Sequence, residues 1–365
     1  MKKPLLLTST LLFLLLISSC NKSLQHLSTG KGKAKNIILL IGDGMGLSQL
    51  SSAYYYGDKT PHFSRFYHIG LHQNTPTDAQ ITDSASGATA FSIGLKTYNA
   101  AIGVDKDTLP HETILEWAAR NRKSTGLVAT STITHATPAS FYAHVAHRNL
   151  HEDIALDFLN SPVDFTAAAG YQYFNQRKDG RDLLAELRQK DVIVDTNAIA
   201  DELIQGQRYT FLLAPDSLLS KQNGRNDFLP KATQKALEYL SQNKDGFFLM
   251  VEGSQIDWGG HANDGNYVVT EVLDFNEVVG VALDFAEKDG NTLVVVTADH
   301  ETGGFSLSAP LVFGRGDYNN IKPTFSTGGH TAALIPVFAY GPGAERFMGV
   351  YQNNDIFGKM MAGFK

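Results

Sequence analysis

Only one of the 365 residues is cysteine, Cys20. No intrachain disulfide can form, and any metal must be held by nitrogen and oxygen rather than by thiolates. Basic charge is not in excess: 31 Lys and Arg face 37 Asp and Glu, for a formal charge of −6. Nucleic-acid-binding surfaces are normally basic, so no nucleic-acid partner is expected, and any attraction for a phosphate must be local. No serine stands in a G-x-S-x-G elbow, which removes the usual α/β-hydrolase arrangement. Long apolar runs are missing beyond the first twenty residues, and the run from Leu5 to Ile17 is too short to span a bilayer comfortably.

That first run follows Lys2 and Lys3 and has the build of an export signal, residues 1–19. Ile17-Ser18-Ser19-Cys20 resembles a bacterial lipobox, in which the cysteine is lipidated and becomes the new N-terminus. The expectation is an exported lipoprotein anchored to a membrane at Cys20, facing the periplasm or the cell surface. Residues 20–35, rich in Ser, Gly and Lys, would be a flexible tether.

From Asn36 onward strand-like and helix-like patterns alternate, as in a parallel sheet covered by helices. Strands are expected at Ile37–Ile41, Ser124–Thr130, Asp164–Ala168, Asp191–Asp195, Thr210–Leu213, Phe247–Val251, Thr292–Thr297 and Pro336–Tyr340. Helices are expected at Glu112–Arg122, Leu183–Gln189, Lys231–Gln242, Val268–Glu287 and Asp355–Ala362. The fold class is therefore α/β: one catalytic domain over residues 36–365, with a central, mostly parallel sheet flanked by helices on both faces. The Gly- and Pro-rich stretch between His300 and His330 reads as a long functional loop, too short for a domain of its own.

Four apolar runs end in potential ligands. NIILLIGDGMG delivers Asp43, and GLVATSTITHAT delivers His135 and Thr137. DGFFLMVEGSQIDWGGH delivers Glu252, Asp257 and His261, and NTLVVVTADHETGG delivers Asp299 and His300. Open α/β sheets bind ligands beyond the carboxyl ends of their strands, so these groups point to a multi-metal site. Each has a plainer reading as a solvated strand end or loop residue. Asp257 and His261 are spaced i,i+4, but Gly259 and Gly260 between them favour a turn over a regular helix. His144, His147 and His151 fall at the spacing of one helix face; amphipathic packing accounts for them, and they are not taken as ligands.

Thr82-Asp83-Ser84-Ala85-Ser86-Gly87-Ala88-Thr89-Ala90 can open a helix with Ser84 at its N-terminus, where backbone N–H groups favour an anion. Asp83 or Ser84 could equally be a simple cap. A serine with no histidine base can still be activated by a metal.

Together, the blocks IGDGMG, TDSASGATA, HATPASFYAHVAHR, VEGSQIDWGGH, TADHETGG and STGGHT resemble alkaline phosphatase, in the same order, from about Asn36 to His330. The resemblance implies a phosphate-monoester hydrolase with a phosphoserine intermediate on Ser84, two zinc ions and one magnesium ion. Asp257, His261 and His330 would hold one zinc. Asp43, Asp299 and His300 would hold the other, beside Ser84. Glu252 and Thr137, with Asp43 again, would hold magnesium. Arg148, expected on a helix after Thr137-Pro138, would grip phosphate bidentately; otherwise it is a surface arginine. Such ions would bring about +6 against about −4 from the four carboxylates, leaving a locally positive pocket.

Two positions depart from the best-studied enteric bacterial form: His135 stands where it has an aspartate near magnesium, and Trp258 where it has a phosphate-contacting lysine. The first change should weaken or alter the third metal site, and the second should loosen phosphate retention. The substrate would be small phosphomonoesters scavenged for phosphate, and a homodimer is in keeping with the family. The alternatives are a phosphodiesterase of the same superfamily, which would lack Arg148, and a lipid-anchored metal- or phosphate-binding protein, which would have no use for Ser84.

Overall fold

The computed structural model describes residues 32–364 except residue 313. The export signal, Cys20 and most of the tether lie outside the described residues. Among the described residues no helix is long and apolar enough to cross a membrane.

Segments of four to nine residues become the strands β1 (Asn36–Gly42), β2 (His68–Gln73), β3 (Ser124–Thr132), β4 (Phe165–Ala169), β5 (Val192–Asp195), β6 (Arg208–Leu212), β7 (Phe247–Gly253) and β8 (Thr292–Thr297). Short pieces follow: β9 (Glu301–Thr302), β10 (Ser306–Ser308), β11 (Leu311–Val312), β12 (Arg315–Gly316), β13 (Lys322–Thr324) and β14 (His330–Thr331). The chain then returns to the sheet as β15 (Ile335–Tyr340) and β16 (Gly349–Gln352). The central sheet runs in the order β16-β2-β15-β8-β1-β7-β3-β4-β6-β5, with β15 antiparallel to both neighbours and every other pairing parallel. It is the mostly parallel α/β sheet expected.

Both faces are covered, and strand alternation sorts the core. Ile37, Leu39 and Ile41 of β1 pack with the helices Ser84–Ile93, Ile114–Arg120, His151–Asn160 and Asp355–Gly363. Ile38 and Leu40 face the helices Leu47–Tyr56, Phe228–Leu240 and Gly265–Asp289. A strand buried on both faces must be apolar throughout. After Asn36 at its start, the next polar side chain, Asp43, therefore appears where β1 leaves the sheet.

The expected strands and helices are present, with bounds shifted by a few residues. The strand β2, the edge strand β16 and the helices Leu47–Tyr56 and His151–Asn160 were not expected. HIGLHQ and GVYQ have no continuous apolar run, because each leaves side chains half exposed. The stretch between His300 and His330 is a loop, but it carries two small antiparallel ribbons, β10 with β13 and β11 with β12. The segment 141–150 is not a helix. Its backbone is taken by a bridge between Val145 and Ile102, so His144 and His147 do not share a helix face, and His151 starts the next helix. Nor do Gly259 and Gly260 make a turn: helix Gln255–His261 runs through both. A Cβ at Gly259 would lie 2.8 Å from the Val268 nitrogen, and one at Gly260 would lie 2.9 Å from Thr302 Cβ. Glycine serves close approach there.

Phe275 illustrates how the core backs the sheet edge. It is fully buried, and a Cβ at Gly253, one residue beyond Glu252, would sit 2.8 Å from its ring. Phe275→Ala should cost about 3–5 kcal/mol of stability in the metal-loaded protein. The check is the urea unfolding midpoint; a change below about 1 kcal/mol would show that the ring is not load-carrying core.

Candidate metal centre and active site

Asp43 closes β1 and enters a tight turn through Gly44, whose φ of +71° suits glycine. A Cβ at Gly44 would lie 2.8 Å from both Asp257 Cα and Thr302 Oγ1, so glycine also lets this turn touch two other ligand-bearing segments. Asp299 and His300 follow β8, Glu252 ends β7, and Thr137 sits in the short helix Ala136–Ala139 after β3. β3, β7, β1 and β8 are neighbours in the sheet, so their carboxyl ends share one edge.

Three ligand groups form there. Asp257, His261 and His330 offer atoms within 4.8 Å of one another, as do Asp43, Asp299 and His300, and Asp43, His135 and Glu252. His300 Nε2 lies 3.4 Å from both Asp43 Oδ1 and Asp299 Oδ2. His261 Nε2 and His330 Nε2 lie 3.4 and 3.6 Å from Asp257 Oδ1. His330 stacks on His300 with ring centroids 3.6 Å apart, so the first two groups adjoin.

Hydrogen bonding assigns the histidine tautomers. His261 Nδ1 faces the Gly328 carbonyl at 2.7 Å, and His330 Nδ1 faces the Thr82 carbonyl at 2.8 Å. Carbonyls only accept, so each Nδ1 carries the proton and each Nε2 presents a lone pair. Those two bare nitrogens are 3.1 Å apart and share no proton. Orientation of a ligating histidine through its other nitrogen is the usual second support of a metal site. Carboxylate oxygens tell the same story: Asp43 Oδ2, Asp299 Oδ2 and Glu252 Oε1 are buried without a donor. A cation between such atoms satisfies them, and the nitrogen–oxygen donor set suits zinc at the first two groups and a harder ion near Glu252.

Without a cation the carboxylates repel. Burial, then the charges of Asp299, Asp257 and Glu252, pushes the Asp43 carboxyl well above its ordinary range. Burial likewise raises Asp299, and it pushes Glu252 up to about 7, although Ser254 and Ser131 donate to it.

Ser84 opens helix Ser84–Ile93, with Asp83 as N-cap accepting from Ser86 N at 3.0 Å. Ser84 Oγ stands 3.2 Å from His300 Nε2 and 3.5 Å from Asp43 Oδ1. Arg148 lies in a turn rather than on the expected helix, with its N–H bonded to the Ala100 carbonyl. Its guanidinium still reaches the site, pairing with Asp83 Oδ2 at 3.0 Å and donating to His135 Nε2 at 3.3 Å. Burial alone would raise the Asp83 carboxyl, but Arg148 and the N–H groups of Ser86 and Ala100 hold it below the usual value. Trp258 meets the His135 ring edge-on, with centroids 6.1 Å apart. His144 instead bonds the Gly103 carbonyl and Glu116, and His151 stacks on Tyr173.

Sequence reasoning missed Thr302, Ser131 and Ser254. Ser131 and Ser254 donate to Glu252 Oε2 at 3.1 and 2.6 Å. Thr302 and Ser254 each follow a singled-out ligand by two residues, the spacing that returns a side chain to the same side of an extended chain.

The crowded carboxylates generate a pH test. In the metal-free protein their folded-state pKa values are raised, so the stability they permit is complete below the unfolded range and lost as pH rises through the folded values. For Glu252 that value is about 7. The buried rings of His135 and His300 are pushed downward, chiefly by burial, so they contribute a slope of opposite sign below the ordinary histidine range, which is common to wild type and a Glu252→Gln variant and cancels between them. The Glu252 contribution is therefore lost between its unfolded value of 4.5 and about pH 7. The chelated protein should lose stability relative to chelated Glu252→Gln by roughly 1 kcal/mol per pH unit between about pH 5 and pH 7. Zinc and magnesium should remove that loss. Thermal unfolding with and without chelator checks it, and identical pH profiles would contradict it.

Comparison with known proteins agrees with this geometry. The alkaline phosphatase family model matches residues 34–326. Alkaline phosphatase 3 of Bacillus subtilis is 36% identical, over 88% of this chain and 87% of that protein. The structure of alkaline phosphatase from the Antarctic bacterium TAB5 superposes with a TM-score of 0.90 at 51% identity, covering 91% of this chain and 98% of that one. A variant of that protein, His 135 to Asp, has a TM-score of 0.89 and 51% identity over the same shares, and is described with Mg bound in the M3 site. With its sheet edge, its ligand groups and these relatives in agreement, the chain belongs to the alkaline phosphatase family and is a hydrolase of phosphate monoesters.

Proposed function

We propose that the reaction proceeds through a phosphoserine on Ser84, at a site taking two zinc ions and one magnesium ion. The observation that carries this is the position of Ser84 Oγ, 3.2 Å from the bare Nε2 of His300 and at the start of a helix. Asp257, His261 and His330 would hold one zinc, Asp43, Asp299 and His300 the other, and Asp43, Glu252 and Thr137 the magnesium. When bound, these ions supply positive charge to the attacking and departing oxygens and lower the pKa of water and hydroxyl groups.

The chain's own residues do the rest. Ser84 Oγ gives up its proton and forms a bond to phosphorus as the bond to the ester oxygen breaks; the alcohol leaves with a proton. Water then attacks the same phosphorus from the opposite side, and the Ser84–phosphorus bond breaks to release inorganic phosphate. Each in-line displacement inverts phosphorus, so two give net retention, and a proton from the attacking water returns to the Ser84 oxygen. Arg148 can direct donors at two non-bridging oxygens, and its pairing with Asp83 pre-sets its direction before substrate arrives. The dianion of a monoester offers one more charged oxygen to that fork than a diester does. Broad use of small phosphomonoesters for phosphate scavenging is part of the same reading.

Export and a lipid anchor at Cys20 belong to this proposal as well, as does a homodimer. What supports the anchor, besides the lipobox, is where the described chain enters: Ala34 bonds the Gly363 carbonyl beside the start of β1, at the opposite end of the strand from Asp43. A tether leaving from there would keep the site clear of the bilayer.

The test compares p-nitrophenyl phosphate with bis(p-nitrophenyl) phosphate, with and without EDTA and then zinc. A large monoester preference that EDTA abolishes and zinc restores is expected. Ser84→Ala should lower kcat by at least about 10³-fold while phosphate still binds. Preference for the diester would move the chain to the phosphodiesterase branch, and zinc binding without turnover would favour the binding protein.

His135 sets the character of the third site. Arg148 donates to its Nε2, so Nδ1 of the neutral ring carries the proton, 4.0 Å from Glu252 Oε1. The ring thus offers a donor where a magnesium ligand would offer an oxygen. His135→Asp should tighten magnesium binding by about tenfold or more, because ligand charge governs affinity for hard cations. The magnesium-bound TAB5 variant supports this direction. Calorimetric titration of the zinc-loaded protein checks it, and an unchanged affinity would contradict the tautomer assignment.

A further inference from the structure

Thr302 touches both of the neighbouring ligand groups through one hydroxyl. Its Oγ1 lies 2.5 Å from Asp257 Oδ1, in the first group, and 3.1 Å from His300 Nδ1, in the second. A threonine hydroxyl has a single proton, and an ionised carboxylate only accepts. The hydroxyl must therefore donate to Asp257, and His300 Nδ1–H must donate to the hydroxyl. Both bonds form together only if His300 keeps its proton on Nδ1, which leaves Nε2 bare and facing Asp43, Asp299 and Ser84. His261 and His330 have backbone carbonyls to fix their tautomers. Thr302 is the partner that does so for His300.

Its surroundings hold the hydroxyl in place. Thr302 is fully buried, its N–H bonds the Gly44 carbonyl, and its carbonyl accepts from Gln49 Nε2 at 2.8 Å. In the β9–β14 pair it lies opposite His330. Gly44 and Gly260, which belong to the Asp43 turn and the Asp257 helix, both lack the Cβ that would strike it.

We propose that Thr302 is a positioning residue that couples the two zinc-ligand groups, steering the Asp257 carboxylate in one and fixing the His300 tautomer in the other. The proposal rests on the two-zinc reading above. Valine at this position keeps the shape and removes the hydroxyl, whereas serine keeps the hydroxyl.

The experiment measures zinc affinity at each site in wild type, Thr302→Val and Thr302→Ser, by competition with a chelating dye, with cadmium-113 resonances distinguishing the two sites. Loss of about 10–100-fold at both sites in Thr302→Val, with Thr302→Ser within a few fold of wild type, is the expected result. Unchanged affinities in Thr302→Val, or a loss confined to one site, would overturn the coupling. A Thr302→Ser variant as weak as Thr302→Val would also overturn it, by assigning the effect to packing. Wild type that binds fewer than two zinc ions would instead sink the underlying two-zinc reading.

Discussion

Acceptor atoms facing one another at the carboxyl edge of the sheet are the constraint on which the rest depends. Asp43, Asp299 and Glu252 are fully buried, and each keeps an oxygen without a donor. Burying one unpaired carboxylate is expensive, and burying three together compounds the cost through repulsion. Divalent cations reverse the sign of that balance, because each group then has a positive partner at short range. The fold accordingly works as a clamp: β3, β7, β1 and β8 stiffly fix where the acceptors point, and glycines remove the side chains that would hold those segments apart. Gly87 belongs to this set, since a Cβ there would lie 2.9 Å from Asp299 Cβ and push the Ser84 helix away from the site.

Ser84 inherits its position from that clamp. Asp83 caps its helix, and Asn99 Oδ1 accepts from the Asp83 N–H at 2.8 Å and from Ser86 Oγ at 3.0 Å, pinning the turn from outside. The capping carboxylate also pairs with Arg148, so that guanidinium is oriented by the residue next to Ser84. On the proposed reading, a protein with a formal charge of −6 would attract a phosphate dianion locally, through a helix N-terminus, a guanidinium and the cations its ligand groups would hold.

Much of this was legible in the amino-acid sequence, for a definite reason. Strands buried on both faces must be apolar, so the first carboxylate or histidine after such a run marks a sheet edge; Asp43, Glu252 and Asp299 stood out in this way. Less was legible where tertiary contacts outrank local pattern. The glycines in QIDWGGH suggested a turn, yet they lie within a helix, where the missing Cβ atoms admit Thr302 and Val268. The segment carrying Arg148 looked helical, but pairing of Val145 with Ile102 straightens it. Edge strands such as GVYQ had no apolar run to reveal them. Thr302 was invisible for a different reason: a threonine two residues beyond a histidine has no distinctive chemistry until both of its partners are placed around it.

The measurement closest to the centre of this account is an anomalous-scattering map of crystals grown with zinc, recorded at the zinc edge. The account predicts two strong peaks, one among Asp257, His261 and His330 and one among Asp43, Asp299 and His300. Zinc bound elsewhere, or neither group occupied at saturating zinc, would contradict it.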